Sequence, residues 1–155
     1  MPFNTPQGRS EALRRRRAKE ERLYAGLVSL MNDTKWREVF TLIVTRGVWF
    51  QIQLVGWTDS TLSILLREYH PTVFQKSPQG FVDGVLGSGF FLRELRRVRC
   101  PTIIPGHLVQ SARDHPQELG ELVEALKALG RIPLEVTDDY VEVRGYDEIT
   151  RNRGT

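Results

Sequence analysis

The hydrophobic period of this chain changes at Gly47, and that change limits its fold more than any other feature. Upstream, Trp36, Val39, Phe40 and Ile43 recur at the spacing of one helical face, and Asn32-Asp33-Thr34 supplies an N-cap for a helix over Lys35–Thr45. Downstream, Val48, Phe50, Ile52 and Leu54 alternate with Trp49, Gln51, Gln53 and Val55, the two-residue period of a strand with one apolar face. Gly47 between them suits a helix C-terminus. A helix stripe and a one-sided strand joined by so short a connection are buried most simply against each other, which predicts sheet packed on helix.

Met1–Arg9 carries two Pro and a Gly and is expected to be disordered. Ser10 then reads as the cap of a basic helix whose second half, through Leu23, Tyr24, Leu27, Val28 and Leu30, is amphipathic. After the turn at Gly56–Ser60, Leu62, Ile64 and Leu66 fit a second strand or a short helix about equally. His70–Gly80 reads as a loop, Phe81–Leu86 as a short strand, and Gly87-Ser88-Gly89 as a turn. Phe90–Arg99 reads as one strand, with Arg93, Arg97 and Arg99 on a single face. Cys100–Asp114 is a connection, with a helical turn at His107–Ala112. Asp114 or His115 as cap, Pro116 in the first turn, the stripe Leu119, Leu122, Val123, Leu126 and Leu129, and Gly130 at the end mark a further helix. Ile132–Val136 and Tyr140–Gly145 flank Thr137-Asp138-Asp139 as a hairpin. The predicted fold is α+β: a mainly antiparallel sheet packed against helices in a single domain over residues 31–148. It is preceded by a basic extension over 1–30, disordered then helical, and followed by a flexible tail over 149–155.

A chain of 155 residues has the size of one ordinary domain. Its longest apolar stretches fall far short of the roughly 20 residues that a bilayer span needs, so no membrane is expected. One cysteine, Cys100, excludes an internal disulfide and suits the cytoplasm. Charge is unevenly placed: residues 1–30 hold seven Lys/Arg against three Glu, whereas 31–155 hold fifteen against sixteen Asp/Glu. Any nucleic-acid affinity by bulk charge therefore belongs to the N-terminal segment.

Asn32-Asp33-Thr34-Lys35-Trp36, Phe91-Leu92-Arg93-Glu94-Leu95, Ile132-Pro133-Leu134-Glu135 and Val141-Glu142-Val143-Arg144-Gly145-Tyr146 together resemble a family of small uncharacterised bacterial proteins, a domain of unknown function with an N-terminal Asn-x-Thr-Lys-Trp motif. The resemblance covers Met31 to about Glu148. It implies no catalytic residue. By analogy with other small bacterial α+β proteins it implies an immunity or accessory protein that binds another protein. Since Met31 precedes the motif, residues 1–30 read either as a genuine extension or as the product of an upstream start.

Chemistry-bearing motifs are weak. His70, His107 and His115 have no metal-ligand spacing, and Gly84, Gly87 and Gly89 lack the Lys-Ser/Thr of a phosphate loop, so no metal and no cofactor is expected. Cys100 beside Arg97 and Arg99 could carry a lowered thiol pKa, but a lone thiol after a strand is more often inert. Asp138, Asp139, Glu142, Asp147 and Glu148, with Glu135, form an acidic C-terminal group too solvated for acid–base work, with contact to the Arg-rich strand as an alternative. Trp49, Gln51 and Gln53 with Arg93, Arg97 and Arg99 have the make-up of an interface hot spot. An edge strand guarded by positive charge is the plainer reading of those arginines. The alternative functional surface is Arg14, Arg15, Arg16, Arg17, Lys19 and Arg22 on the first helix, a non-specific nucleic-acid contact or a solvated face. These features point to a non-enzymatic module that binds a protein partner, with nucleic-acid association as the alternative.

Overall fold

In the computed structural model, which describes residues 6–57 and 61–149, the elements run α1 (Pro6–Tyr24), β1 (Leu27–Ser29), α2 (Asp33–Thr45), β2 (Gln51–Leu54), α3 (Thr72–Gln75), β3 (Phe81–Val82), β4 (Phe90–Phe91), β5 (Leu95–Pro101), β6 (Ile103–Ile104), β7 (His115–Pro116), α4 (Gly120–Ala128), β8 (Leu134–Val136), β9 (Tyr140–Arg144) and β10 (Tyr146–Glu148). The chain divides into two compact units, Met1–Val28 with Glu148–Thr155 and Ser29–Asp147.

The first unit contains α1, which begins at Pro6 rather than at a Ser10 cap and stops at Tyr24 instead of running on through Leu30. Gly26 adopts φ +79°, a conformation that ends a helix, and Leu27–Ser29 is extended. Residues 1–5 of the expected disordered segment lie outside the described residues. From Ser10 to Leu23 every side chain except Ala18 is exposed, so the helix is polar all round.

The second unit is the α+β domain. α2 forms as its sequence dictates: the Asn32 side chain accepts from the Lys35 N–H, and Trp36, Val39, Phe40, Ile43 and Val44 are buried. Gly47, at φ +63°, follows its last turn. A four-stranded antiparallel sheet in the order β2-β5-β9-β8 forms the platform. Across it one row of side chains, Ile52, Val98, Val143 and Leu134, points into the core together with Cys100 and Val141. Phe40 stacks on Phe74 with ring centroids 4.3 Å apart and planes 8° from parallel, which ties α2 to α3.

Three expectations give way here. His70–Gly80 is not plain loop, because Val73, Phe74 and Gln75 close a helical turn behind Pro71 that buries Phe74. Leu62, Ile64 and Leu66 are neither strand nor helix: Leu66 makes a single bridge with Phe50, and Ile64 is exposed. α4 starts at Gly120, later than the cap at Asp114 or His115, because His115 and Pro116 pair with Ile104 and Ile103 instead.

Phe90–Arg99 is also not one strand. A 3-10 turn at Leu92–Glu94, closed by the Glu94 carboxylate accepting from the Phe91 N–H at 2.7 Å, divides it. Beyond the turn the register against β2 shifts between Gln53 and Leu54, so Gln53 faces Arg97 while Leu54 faces Leu95. This bulge lets Leu95 join the core while Arg97 and Arg99 keep the opposite face.

Gly145 follows β9 where a Cβ would strike the Leu95 carbonyl oxygen. Gly145→Ala should therefore cost about 3 kcal/mol by overpacking. Gly47→Ala meets open space and should cost only about 1 kcal/mol, for its left-handed backbone. Urea unfolding should rank the midpoints wild type, Gly47→Ala, Gly145→Ala, and a Gly145→Ala midpoint at or above that of Gly47→Ala would contradict this packing.

Candidate functional site

The outer face of the sheet is where polar side chains collect, for a reason internal to each strand: when Val98, Cys100, Val141 and Val143 turn inward, Arg97, Arg99, Glu142 and Arg144 must turn outward. Register then brings them together. Gln53, Arg97 and Arg144 form one row, and Gln51, Arg99, Glu142 and Glu135 form the next.

Glu142 is the centre of this face. It is only 3% exposed, and its Oε1 accepts from the Arg99 Nε–H at 2.8 Å, with Arg97 Nη1 at 3.8 Å. Burial of a carboxylate is tolerated when charged hydrogen bonds replace its water. The Arg99 guanidinium also lies over the Tyr140 ring, 3.9 Å from its centroid. Tyr140 donates its hydroxyl to Glu135 at 2.6 Å. That bond, then burial and the negative charge of Glu135, hold the Tyr140 phenol above its ordinary value of 10.0.

Arg97 and Arg99 share the one buried carboxylate, and Arg144 lies opposite Arg97 in the neighbouring row. Arg144 meets Asp147 at 3.8 Å, too long for a hydrogen bond, and both of those side chains are partly exposed. The Nε–H groups of Arg97 and Arg144 are buried and have no acceptor among the described residues. A buried donor left unpaired costs about 1 to 3 kcal/mol, a local cost carried by this row of the sheet.

The structure thus assembles Gln51, Gln53, Arg97 and Arg99 from the predicted patch and separates the other two members. Gln53 is 1% exposed, so it belongs to the buried floor and not to the surface expected of it. Gln51 is held by its Nε2 donating to the Ser63 carbonyl. Trp49 precedes β2, with its ring beneath Arg67 and its backbone bonded to Gln117. Arg93 lies in the 3-10 turn over Phe91, and its carbonyl accepts from the Tyr146 hydroxyl. Arg144 was the missed member, and of the acidic group Glu142 takes the alternative reading, contact with the Arg-rich strand, while Asp138 and Asp139 are exposed. The alternation Val141/Val143 already put Glu142 and Arg144 on one face; only pairing with β5, 43 residues away for Arg99 and Glu142, shows which face that is.

Arg14–Arg17, Lys19 and Arg22 all lie in α1 with exposed side chains. Cys100 is buried, which pushes its thiol up to about 12, the reverse of activation by neighbouring arginines. Among the described residues no group of three or more His, Cys, Asp or Glu is placed to hold a metal ion, and no helix is long and apolar enough to cross a membrane.

Comparison with known proteins finds no family model, no curated protein and no solved structure that matches this chain.

Two measurements check this geometry. With its thiol near 12, about one Cys100 in ten thousand is thiolate at pH 8, so a disulfide reagent should label it only after unfolding; rapid native labelling would contradict its burial. Tyr140, read as the difference between wild-type and Tyr140→Phe absorbance titrations, should ionise above 10.0 and move down in Glu135→Ala. Because the folded value is raised, the stabilisation from this bond is complete below about pH 10 and is lost as pH rises through the raised value.

Proposed function

We propose that this protein is a binding module whose sheet face, around Arg97, Arg99 and Arg144, takes an acidic protein partner. The observation that carries this reading is the pairing of Arg97 with Arg144 across β5 and β9: both side chains are partly exposed, and each meets a carboxylate only at 3.8 Å. Two adjacent guanidiniums that make no close carboxylate bond of their own are matched to an incoming Asp or Glu. The sheet holds these side chains in fixed rows, which lowers the ordering cost of association. Binding also suits the poverty of catalytic groups, since the one thiol is buried and strongly disfavours its anion. A reducing compartment such as the cytoplasm fits that thiol. The resemblance to bacterial proteins of the Asn-x-Thr-Lys-Trp family extends the proposal to an immunity-like or accessory role.

A second reading rests on α1, whose six basic side chains from Arg14 to Arg22 are all exposed: non-specific contact with nucleic acid.

Affinity capture from host lysate with the full chain tests both. A protein of acidic isoelectric point should be retained by wild type and lost from Arg97→Glu/Arg144→Glu, two sites already partly exposed, while Arg14–Arg17 replaced by Ala keeps it. Capture indifferent to the Arg97/Arg144 pair overturns the sheet-face proposal. Nuclease-sensitive material released steeply by salt and lost only with the α1 substitutions establishes the second reading instead.

A further inference from the structure

A separate cavity of about 440 Å³ opens beside Trp49, lined among others by Arg46, Arg67, His115, Gln117 and Glu118. Its floor is rigid. The Gln117 side chain clamps the Trp49 backbone, accepting from its N–H at 2.8 Å and donating to its carbonyl at 3.1 Å, and the same amide donates to the Pro101 carbonyl at 2.8 Å. That use of Gln117, directly after the strand His115–Pro116, accords with α4 beginning only at Gly120. The position of Trp49 is therefore set before any ligand arrives.

The walls have two chemistries. Val109 provides partly exposed apolar surface, while Val48 and Ile104, which also line the cavity, are almost wholly buried. Arg46 and Arg67 provide two guanidiniums against the single carboxylate of Glu118. Arg67 reaches over the Trp49 ring at 5.1 Å, and its ion pair with Glu68, at 3.9 Å between exposed side chains, binds it only weakly. Arg46 commits one N–H to the Leu42 carbonyl at 3.2 Å. The volume exceeds what an inorganic oxyanion fills and lies in the range of small-molecule sites.

We propose that this cavity binds a small organic anion with a planar apolar body, its oxyanion held by Arg46 and Arg67 and its body lying against Trp49 and Val109. Carboxylate and phosphate head groups share this chemistry. The site is independent of the outer sheet face, so either proposal can fail alone.

The test is an NMR titration of the full chain, following the Trp49 indole N–H, identified by its loss in Trp49→Phe. The probes are 1-naphthoate, 1-naphthyl phosphate, 1-naphthalenemethanol and inorganic phosphate. A saturable shift with either aromatic anion is expected, and the stronger of the two names the head group. Arg46→Gln and Arg67→Gln should each weaken binding about tenfold, the scale of one charge-assisted hydrogen bond. Both side chains are exposed, so a dispersed spectrum should persist, and Arg97→Glu should leave binding unchanged. The proposal is overturned by no saturable shift with either anion, by equal binding of the alcohol or of inorganic phosphate, or by affinity indifferent to both arginine substitutions.

Discussion

Everything in the α+β domain depends on the pleat of β5. A strand must send successive side chains to opposite faces, and β5 pairs on both sides, so its choice of face is imposed on β2 and β9 and through β9 on β8. Val98 and Cys100 go inward because their burial is favourable, roughly 25 cal/mol for each Å² of apolar surface removed from water. Arg97 and Arg99 are then committed outward, and register delivers Glu142 and Arg144 beside them.

The core and the outer face are consequently two results of one constraint. On one side, Phe40 of α2 packs against both Phe50 and, in α3, Phe74. On the other, a buried carboxylate collects guanidiniums. Such an arrangement is a weak source of stability, because desolvating the charges offsets much of their attraction. Its consequence is orientation: Arg99 is fixed by Glu142 and by the Tyr140 ring, and Arg97 and Arg144 lie together in the row beside it.

Where the folded chain departs from its sequence pattern, the causes are local. Strict alternation put Arg93 on one face with Arg97 and Arg99, but the Glu94 bond to the Phe91 N–H makes a turn, and the bulge after it inverts Leu95 relative to Arg97. Trp49 alternates correctly with Phe50, yet β2 begins only at Gln51, so its ring joins the cavity formed with His115–Glu118. Gln53 alternates correctly too, and is buried nonetheless by its place on the face shared with Arg97. The pattern for a helix from Pro116 onward was sound in composition, but pairing to Ile103 and the Gln117 clamp took that stretch for tertiary contacts.

By itself, the sequence determined the α+β class, the helix α2 with its Asn32 cap, the β8–β9 hairpin, and the inward or outward sense of residues within each uninterrupted strand, because these follow from period and from neighbours a few residues away. The tertiary structure alone decided which strands lie side by side. Strand order and register couple residues some forty positions apart, and nothing in a local pattern specifies such a pairing. Hence Arg97 and Arg99 with their outward sense were legible, and contact of the acidic group with their strand was one of its two readings, whereas Glu142 as the particular carboxylate, Arg144 as their companion and Trp49 as the floor of a separate cavity were not.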